Sequence, residues 1–238
     1  MKLAIDSGHG LNTIGKQTLA SLGPVIKEWT MSNRVTNHLI DILGGYDGIE
    51  ILRLDDPTGR TDVPLKTRTD KANAWKADLL ISNHHNAGIN GGVGGGIVVY
   101  RYPGSNNPSK AMAQKLYDKL IARTGLKGNR SQPVAEADFH MLRESNMPAL
   151  LLELGFMDSK TDYPIITKDA FSRQAAQGIV DYLVEQYGLK EKPKAVQTLA
   201  QDGKYFKVQV GAFSVKENAD RLVAELKAKG YNAYVKYE

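Results

Sequence analysis

The 238-residue sequence predicts an α/β fold, a mostly parallel twisted sheet with helices on both faces, followed by a small βαβ module. Three observations carry this. Short apolar runs of strand length alternate with segments of helical period through residues 1–187. Some of these runs are apolar throughout, such as Leu79-Leu80-Ile81 and Leu150-Leu151-Leu152, as strands covered on both faces are. After Tyr187 the chain turns to alternating charges and a proline, and then a second strand–helix–strand pattern begins.

The elements follow in order. Residues 2–5 form a short strand. Val35, Leu39, Ile42 and Leu43 put an apolar stripe on a helix over about 32–43, stopped by Gly44-Gly45. Residues 48–52 form the next strand. A helix over 64–75 opens on Pro64, whose missing N–H costs nothing in a first turn. Residues 78–82 form a buried strand, and 96–100 and 148–152 form two more. Helices cover 109–124 and 169–187. Sites in such sheets gather at the carboxyl ends of the strands. Residues 188–203, charged and then polar with Pro193, read as a linker between a domain at 1–187 and a module at 204–238. That module begins with a strand over 205–210 and ends with one over 232–236. Between them Ser214 and Glu217 have capping-box spacing, Ala219, Leu222, Val223 and Leu226 form a helical stripe, and Gly230 closes the helix.

Composition narrows the chemistry. With 42% hydrophobic and 24% charged residues the chain falls in the globular range. No apolar run approaches the roughly 18 residues of a membrane span, so no membrane insertion is expected. Zero cysteines exclude a disulfide scaffold, a thiolate metal site and a thiol nucleophile. Met1-Lys2-Leu3-Ala4-Ile5 runs straight into Asp6-Ser7-Gly8-His9-Gly10, which leaves no room for a signal peptide; synthesis in the cytoplasm is the expectation. The net charge of +5 is uneven. Residues 188–238 carry 10 Lys+Arg against 6 Asp+Glu and six of the 18 aromatics, whereas residues 1–187 are nearly neutral. A basic, aromatic small unit suits a polymer such as nucleic acid or glycan; the plain alternative is a solvated face over an ordinary core.

Of the five histidines, His9 follows the first strand in a glycine-flanked turn, and His84 and His85 follow the third in Ser82-Asn83-His84-His85-Asn86. Imidazoles at the ends of two buried strands share one sheet edge, so a metal site competes evenly with ordinary hydrogen-bonding roles. His38, mid-helix, reads as a surface or packing residue, and His140 as a candidate pocket residue. A catalytic zinc takes three protein ligands and a water. Glu28 is one candidate for the third. Glu153 is more conspicuous, because a carboxylate closing an apolar strand must be paired, metal-bound or tuned for proton transfer. There is no HExxH helix, no G-x-S-x-G elbow and no Walker A sequence. The glycines of Gly91-Gly92-Val93-Gly94-Gly95-Gly96 lead into a strand rather than a helix, which rules out a dinucleotide fingerprint.

Taken in order, these segments resemble the zinc-dependent N-acetylmuramoyl-L-alanine amidases of amidase type 3. The pieces are Ile5-Asp6-Ser7-Gly8-His9-Gly10, Glu28 ahead of a helix, Arg68 with Ala72-Asn73, and Ser82-Asn83-His84-His85-Asn86-Ala87. Gly96 at a strand start and Leu142-Arg143 through Asn146-Met147-Pro148-Ala149 to Glu153-Leu154-Gly155-Phe156 complete the set. The resemblance spans roughly Met1 to Tyr187. It implies one Zn²⁺ per chain held by His9, Glu28 and His84, with Glu153 as the catalytic glutamate and Asn86 and Arg68 toward the substrate. His85 falls at the family's variable position. Ser7 stands where the family usually has proline, and Asn83 where it has an apolar residue; both bear on turn and strand packing.

The tail resembles the start of a sporulation-related (SPOR) repeat through Tyr205-Phe206-Lys207-Val208-Gln209-Val210-Gly211-Ala212-Phe213, Ala219 and Lys229-Gly230-Tyr231. The resemblance implies binding to peptidoglycan glycan strands, with Tyr205, Lys207 and Gln209 on the binding strand. A full repeat has two βαβ halves and this chain holds one. Pairing of two tails into a homodimer is therefore expected, a truncated module being the alternative. The expected function is hydrolysis of the amide between N-acetylmuramic acid and L-alanine. An inactive wall-binding module and a nucleic-acid binder are the weaker readings, the second because the main domain is nearly neutral. A hydrolase without a signal peptide fits a phage endolysin released through a holin, or an autolysin freed when a sporulating mother cell lyses.

Overall fold

The computed structural model describes residues 1–104, 108–193, 209–231 and 233–236. The chain forms two compact units, Met1–Lys192 and Pro193–Glu238.

The first unit runs β1 (Lys2–Ser7), α1 (Glu28–Leu43), β2 (Tyr46–Asp47), β3 (Glu50–Arg53), α2 (Leu65–Trp75), β4 (Leu79–Asn86) and β5 (Ile97–Arg101). It continues with α3 (Ser109–Thr124), β6 (Val134–Glu136), α4 (His140–Arg143), β7 (Ala149–Phe156), α5 (Tyr163–Ile166), α6 (Asp169–Tyr187) and β8 (Lys190–Glu191). Six strands make one sheet in the order β3-β1-β4-β7-β5-β6. The pairs β3–β1, β1–β4, β4–β7 and β5–β6 are parallel, and β5–β7 is antiparallel. This is the mostly parallel sheet that the apolar runs predict.

Strand alternation sorts the core into two layers. Leu3, Ile5, Leu79, Ile81, Ile97, Val99, Leu150 and Leu152 pack with α1, α3 and α6 on one face. Ala4, Leu80, Ala149 and Leu151 pack with Ala72 of α2 and Met141 and Leu142 of α4 on the other. The helices over 109–124 and 169–187 have the predicted ends because Gly125 and Gly188 take left-handed caps.

Four boundaries differ from the sequence reading. α1 begins at Glu28, one turn before residue 32. β4 and β7 continue to Asn86 and Phe156, so His84, His85 and Glu153 lie inside strands rather than beyond them. The linker does not start at residue 188. Leu189 is buried, and Lys190–Glu191 pair antiparallel with Tyr46–Asp47, so the first unit reaches Lys192.

In the second unit α7 (Lys216–Ala228) carries the predicted stripe half-buried at Ala219, Leu222, Val223 and Leu226. Gly230, at φ +84°, ends it as expected. The capping box does not form, since Val215 is the N-cap and no side-chain cap bond is made. Residues 233–236 form no strand. Most of the strand expected over 205–210, with Tyr205 and Lys207, lies outside the described residues, as does the linker from 194.

Candidate metal centre

β1 delivers the chain to the carboxyl edge of the sheet at Ser7, where it turns through Gly8-His9-Gly10. His9 sits at φ +66°, a left-handed conformation that few non-glycine residues adopt. Gly8 leaves room for His84: a Cβ there would lie 2.0 Å from His84 Cε1. The Gly8 N–H donates to the Asn83 carbonyl at 2.9 Å, which ties the turn to β4.

Arg68 holds the turn from α2. Its guanidinium donates to Asp6 Oδ1 at 2.7 Å, the Ser7 carbonyl at 3.0 Å and the His9 carbonyl at 3.3 Å. It also donates to Asp62 Oδ1 at 2.9 Å and the Val63 carbonyl at 2.8 Å. This corrects the sequence reading of Arg68. A side chain 1% exposed with its donors committed internally does not reach a substrate; it positions the turn that bears His9.

Glu28, the first residue of α1, is buried. Its Oε1 accepts the His85 backbone N–H at 3.2 Å and lies 3.1 Å from His84 Nδ1. Its Oε2 is 3.5 Å from His9 Nε2 and has no hydrogen-bond partner. The rings of His9 and His84 meet edge to face with centroids 5.0 Å apart. One ligand atom each from His9, Glu28 and His84 lie within 4.8 Å of one another, the one such group among the described residues. Two imidazoles and a carboxylate are a zinc donor set. The orphaned Oε2 fits as well, since a buried carboxylate oxygen without a donor is costly unless a cation satisfies it.

Electrostatics agree with this grouping. Burial pushes the Glu28 carboxyl up, but the hydrogen bond and charge of His84 and the charge of His9 outweigh it, so it titrates below its usual range. Burial likewise pushes His84 down, and Glu28 reverses the effect and raises it. Burial lowers His9 to about 4 against the attraction of Glu28, and lowers His85 to about 4.

Glu153 stands beside this group. It is the register partner of His84 across β4–β7, following Leu80 with Ala149 and Ser82 with Leu151, so all three pairs face the same side of the sheet. Burial, with a smaller push from Glu28, raises its carboxyl to about 7 against the pull of His84. Its Oε2 is buried without a partner.

The rings of the other histidines bond elsewhere. His38 Nε2 bonds Asp169 at 2.9 Å, tying α1 to α6, and His140 Nε2 bonds Thr69 at 3.2 Å, tying α4 to α2. His85, one residue past His84, points to the opposite face and bonds Ser32 Oγ at 3.2 Å. Asn86 is half-buried at the strand end, its Oδ1 accepting the Ala87 N–H at 2.8 Å. In the second unit Gln209 is exposed.

Fold and site together define a class, an α/β fold whose mostly parallel sheet carries at its carboxyl edge a His-Glu-His group able to hold a metal ion and a buried carboxyl beside it. Residues 3–185 match the N-acetylmuramoyl-L-alanine amidase family, and residues 202–238 match the SPOR domain. The chain belongs to the N-acetylmuramoyl-L-alanine amidases, a family that is generally zinc-dependent. It is 34% identical over 240 residues to an N-acetylmuramoyl-L-alanine amidase of Bacillus licheniformis, covering 100% of this chain and 85% of that one. A sporulation-specific N-acetylmuramoyl-L-alanine amidase of Bacillus subtilis is 34% identical over 236 residues, covering 99% and 84%. Among solved structures, an N-acetylmuramoyl-L-alanine amidase from Clostridium difficile superposes with a TM-score of 0.69 at 29% identity, covering 77% of this chain and 95% of that one. Among the described residues no helix is long and apolar enough to cross a membrane.

Proposed function

We propose that the chain cleaves the amide between the lactyl group of N-acetylmuramic acid and L-alanine in peptidoglycan, using one zinc ion held by His9, Glu28 and His84. Bound there, zinc would act as a Lewis acid toward water and the scissile carbonyl. The His85 N–H holds Glu28 Oε1 beside His84 and leaves Oε2, 3.5 Å from His9 Nε2, without a donor. Glu153 as a carboxylate takes the proton of the attacking water and then gives it to the nitrogen of the departing L-alanine. A carboxyl titrating at about 7 suits both transfers near neutral pH. Asn86, at the end of the strand that carries His84, is the residue we place toward the substrate.

The observation that carries the reading is the convergence of the His-Glu-His group with the buried Glu153 carboxyl on one sheet edge. The test is incubation with purified peptidoglycan, followed by labelling and identification of new amino termini. New L-alanine amines that vanish with a chelator and return with zinc are expected. New reducing sugar ends without L-alanine amines would overturn it.

The domains we assign are a catalytic one over 1–187, extended to Lys192 by the packing of Leu189 and β8, and a wall-binding one over 204–238, with Tyr205, Lys207 and Gln209 toward the glycan. Association of two tails into one complete SPOR-like domain is part of this proposal. So is action on the wall after lysis or holin-mediated release. An endolysin of Bacillus phage SPP1, 32% identical over 192 residues, supports that setting.

A further inference from the structure

The buried face of α1 carries two stripes. Met31, Val35 and Leu39 pack into the core, while Glu28, Ser32 and Thr36, spaced one turn apart, form a polar stripe beside them. Each polar residue meets a partner on the sheet. Glu28 Oε1 accepts the His85 N–H at 3.2 Å, and Ser32 Oγ bonds His85 Nδ1 at 3.2 Å. Thr36 Oγ1 accepts from Ser7 Oγ at 2.9 Å and from Asn83 Nδ2 at 3.1 Å. Ser7 and Asn83 are themselves register partners across β1–β4. All six residues are buried.

The spacings match. Four helical residues advance about 6.0 Å and two strand residues about 6.6 Å, so Ser32 and Thr36 meet His85 and Asn83 in step. The two positions where this chain departs from the family pattern, Ser7 and Asn83, are thus joined through one hydroxyl. Asn83 Oδ1 and His85 Nε2 are left without partners. Buried orphans cost stability, so holding the fold together does not by itself explain this seam.

We infer that the seam of Ser32 and Thr36 against Ser7, Asn83 and His85 is a positioning device that sets the height of α1 on the sheet and thereby places the Glu28 carboxylate between His9 and His84. Apolar contact is non-directional and tolerates a small slide of the helix. The hydrogen bonds tolerate much less, because they weaken steeply once stretched or bent. A slide of one residue, about 1.5 Å, carries Glu28 out of step with the two histidines. These are positioning residues; they act through Glu28. The inference rests on reading His9, Glu28 and His84 as the zinc ligands.

The test is zinc affinity of the full chain, measured by competition with a chromophoric chelator, beside thermal melting. Thr36→Val keeps the shape and removes the hydroxyl; His85→Ala removes the contact to Ser32. Each should weaken zinc binding by about 10–100-fold, as loss of outer partners of metal ligands does. Thr36→Ser, which keeps the hydroxyl, should bind within about twofold of the parent. Leu39→Ala, on the same helix but in the apolar stripe, should lower the melting temperature and leave zinc affinity unchanged. Ser32→Ala, the loss of one oxygen, carries the test if a larger change prevents folding. Seam variants that bind zinc like the parent, or a Leu39→Ala that loses as much affinity as Thr36→Val, would overturn the inference. A parent that binds no zinc, or a His9→Ala variant that binds it normally, would instead overturn the ligand assignment, and the seam's role with it.

Discussion

Gly8 and His84 compete for one space, which makes the smallest substitution at the centre an informative one. Gly8→Ala places a methyl 2.0 Å from the imidazole, so the ring or the turn must move. We expect zinc affinity to fall at least about tenfold while most of the stability remains, read by the same chelator competition. His9→Ala and His84→Ala should each lower zinc content per chain, measured by elemental analysis. Glu153→Gln should retain zinc and lose about 10²–10⁴ in amidase rate, because an amide cannot accept the proton. A Gln variant turning over like the parent would remove Glu153 from the mechanism. Arg68 belongs to a different class of effect. Arg68→Ala leaves the Asp6 carboxylate buried and unpaired, and breaking such a pair costs about 3–5 kcal/mol, to be read from the denaturant midpoint.

At the scale of elements, the segment after β7 clamps the glycine-rich loop between β4 and β5. Asp162 Oδ2 accepts the N–H groups of Gly96 at 2.7 Å and Phe156 at 2.9 Å, and Asp158 Oδ2 accepts those of Gly88 and Asn90. Asp162→Ala strands two buried donors, each costing about 1–3 kcal/mol, so a loss of about 2–6 kcal/mol is expected in chemical denaturation. A loss below about 0.5 kcal/mol would show that the clamp is dispensable. The same elements explain what could be read from the sequence. Apolar runs revealed the sheet, and left-handed glycine caps revealed the ends of α3 and α6. The site-bearing ends were hidden, because Asn83-His84-His85 and Glu153 continue the ladder with polar residues that hydropathy assigns to loops. The first turn of α1 was missed for the same reason, since its buried Glu28 breaks the apolar stripe. Nothing in the spacing of Arg68 marks it as buried, and the substrate role expected of it came from the family resemblance alone. The strands β2, β6 and β8 are too short to carry a period.

At the scale of the whole molecule, no side chain among the described residues 209–231 and 233–236 of the second unit is buried. None of the residues of α7 is buried, and Val210, Phe213, Val215, Tyr231, Tyr234 and Val235 stand exposed among the described residues of that unit. A module of this size buries too little apolar surface to hold itself firmly, and units under about 40 residues usually need metals, disulfides or association. The sequence has no cysteine, and among the described residues the one metal group lies in the first unit. Covering these side chains against a second copy, at about 25 cal/mol per Å², would stabilise the unit. The comparison to make is light scattering of the full chain beside a chain ended at Lys192. Ending it at Tyr187 would remove Leu189 from the core and β8 from its pairing with β2, and so confuse loss of the tail with damage to the first unit. A dimer for the full chain and a monomer for the shorter one support pairing through the tail. The full chain should also sediment with purified peptidoglycan more completely than the shorter one, because the paired tails supply a wall-binding domain that the shorter chain lacks. Monomers in both cases would refute the pairing, and equal sedimentation would refute the tail as the wall-binding unit.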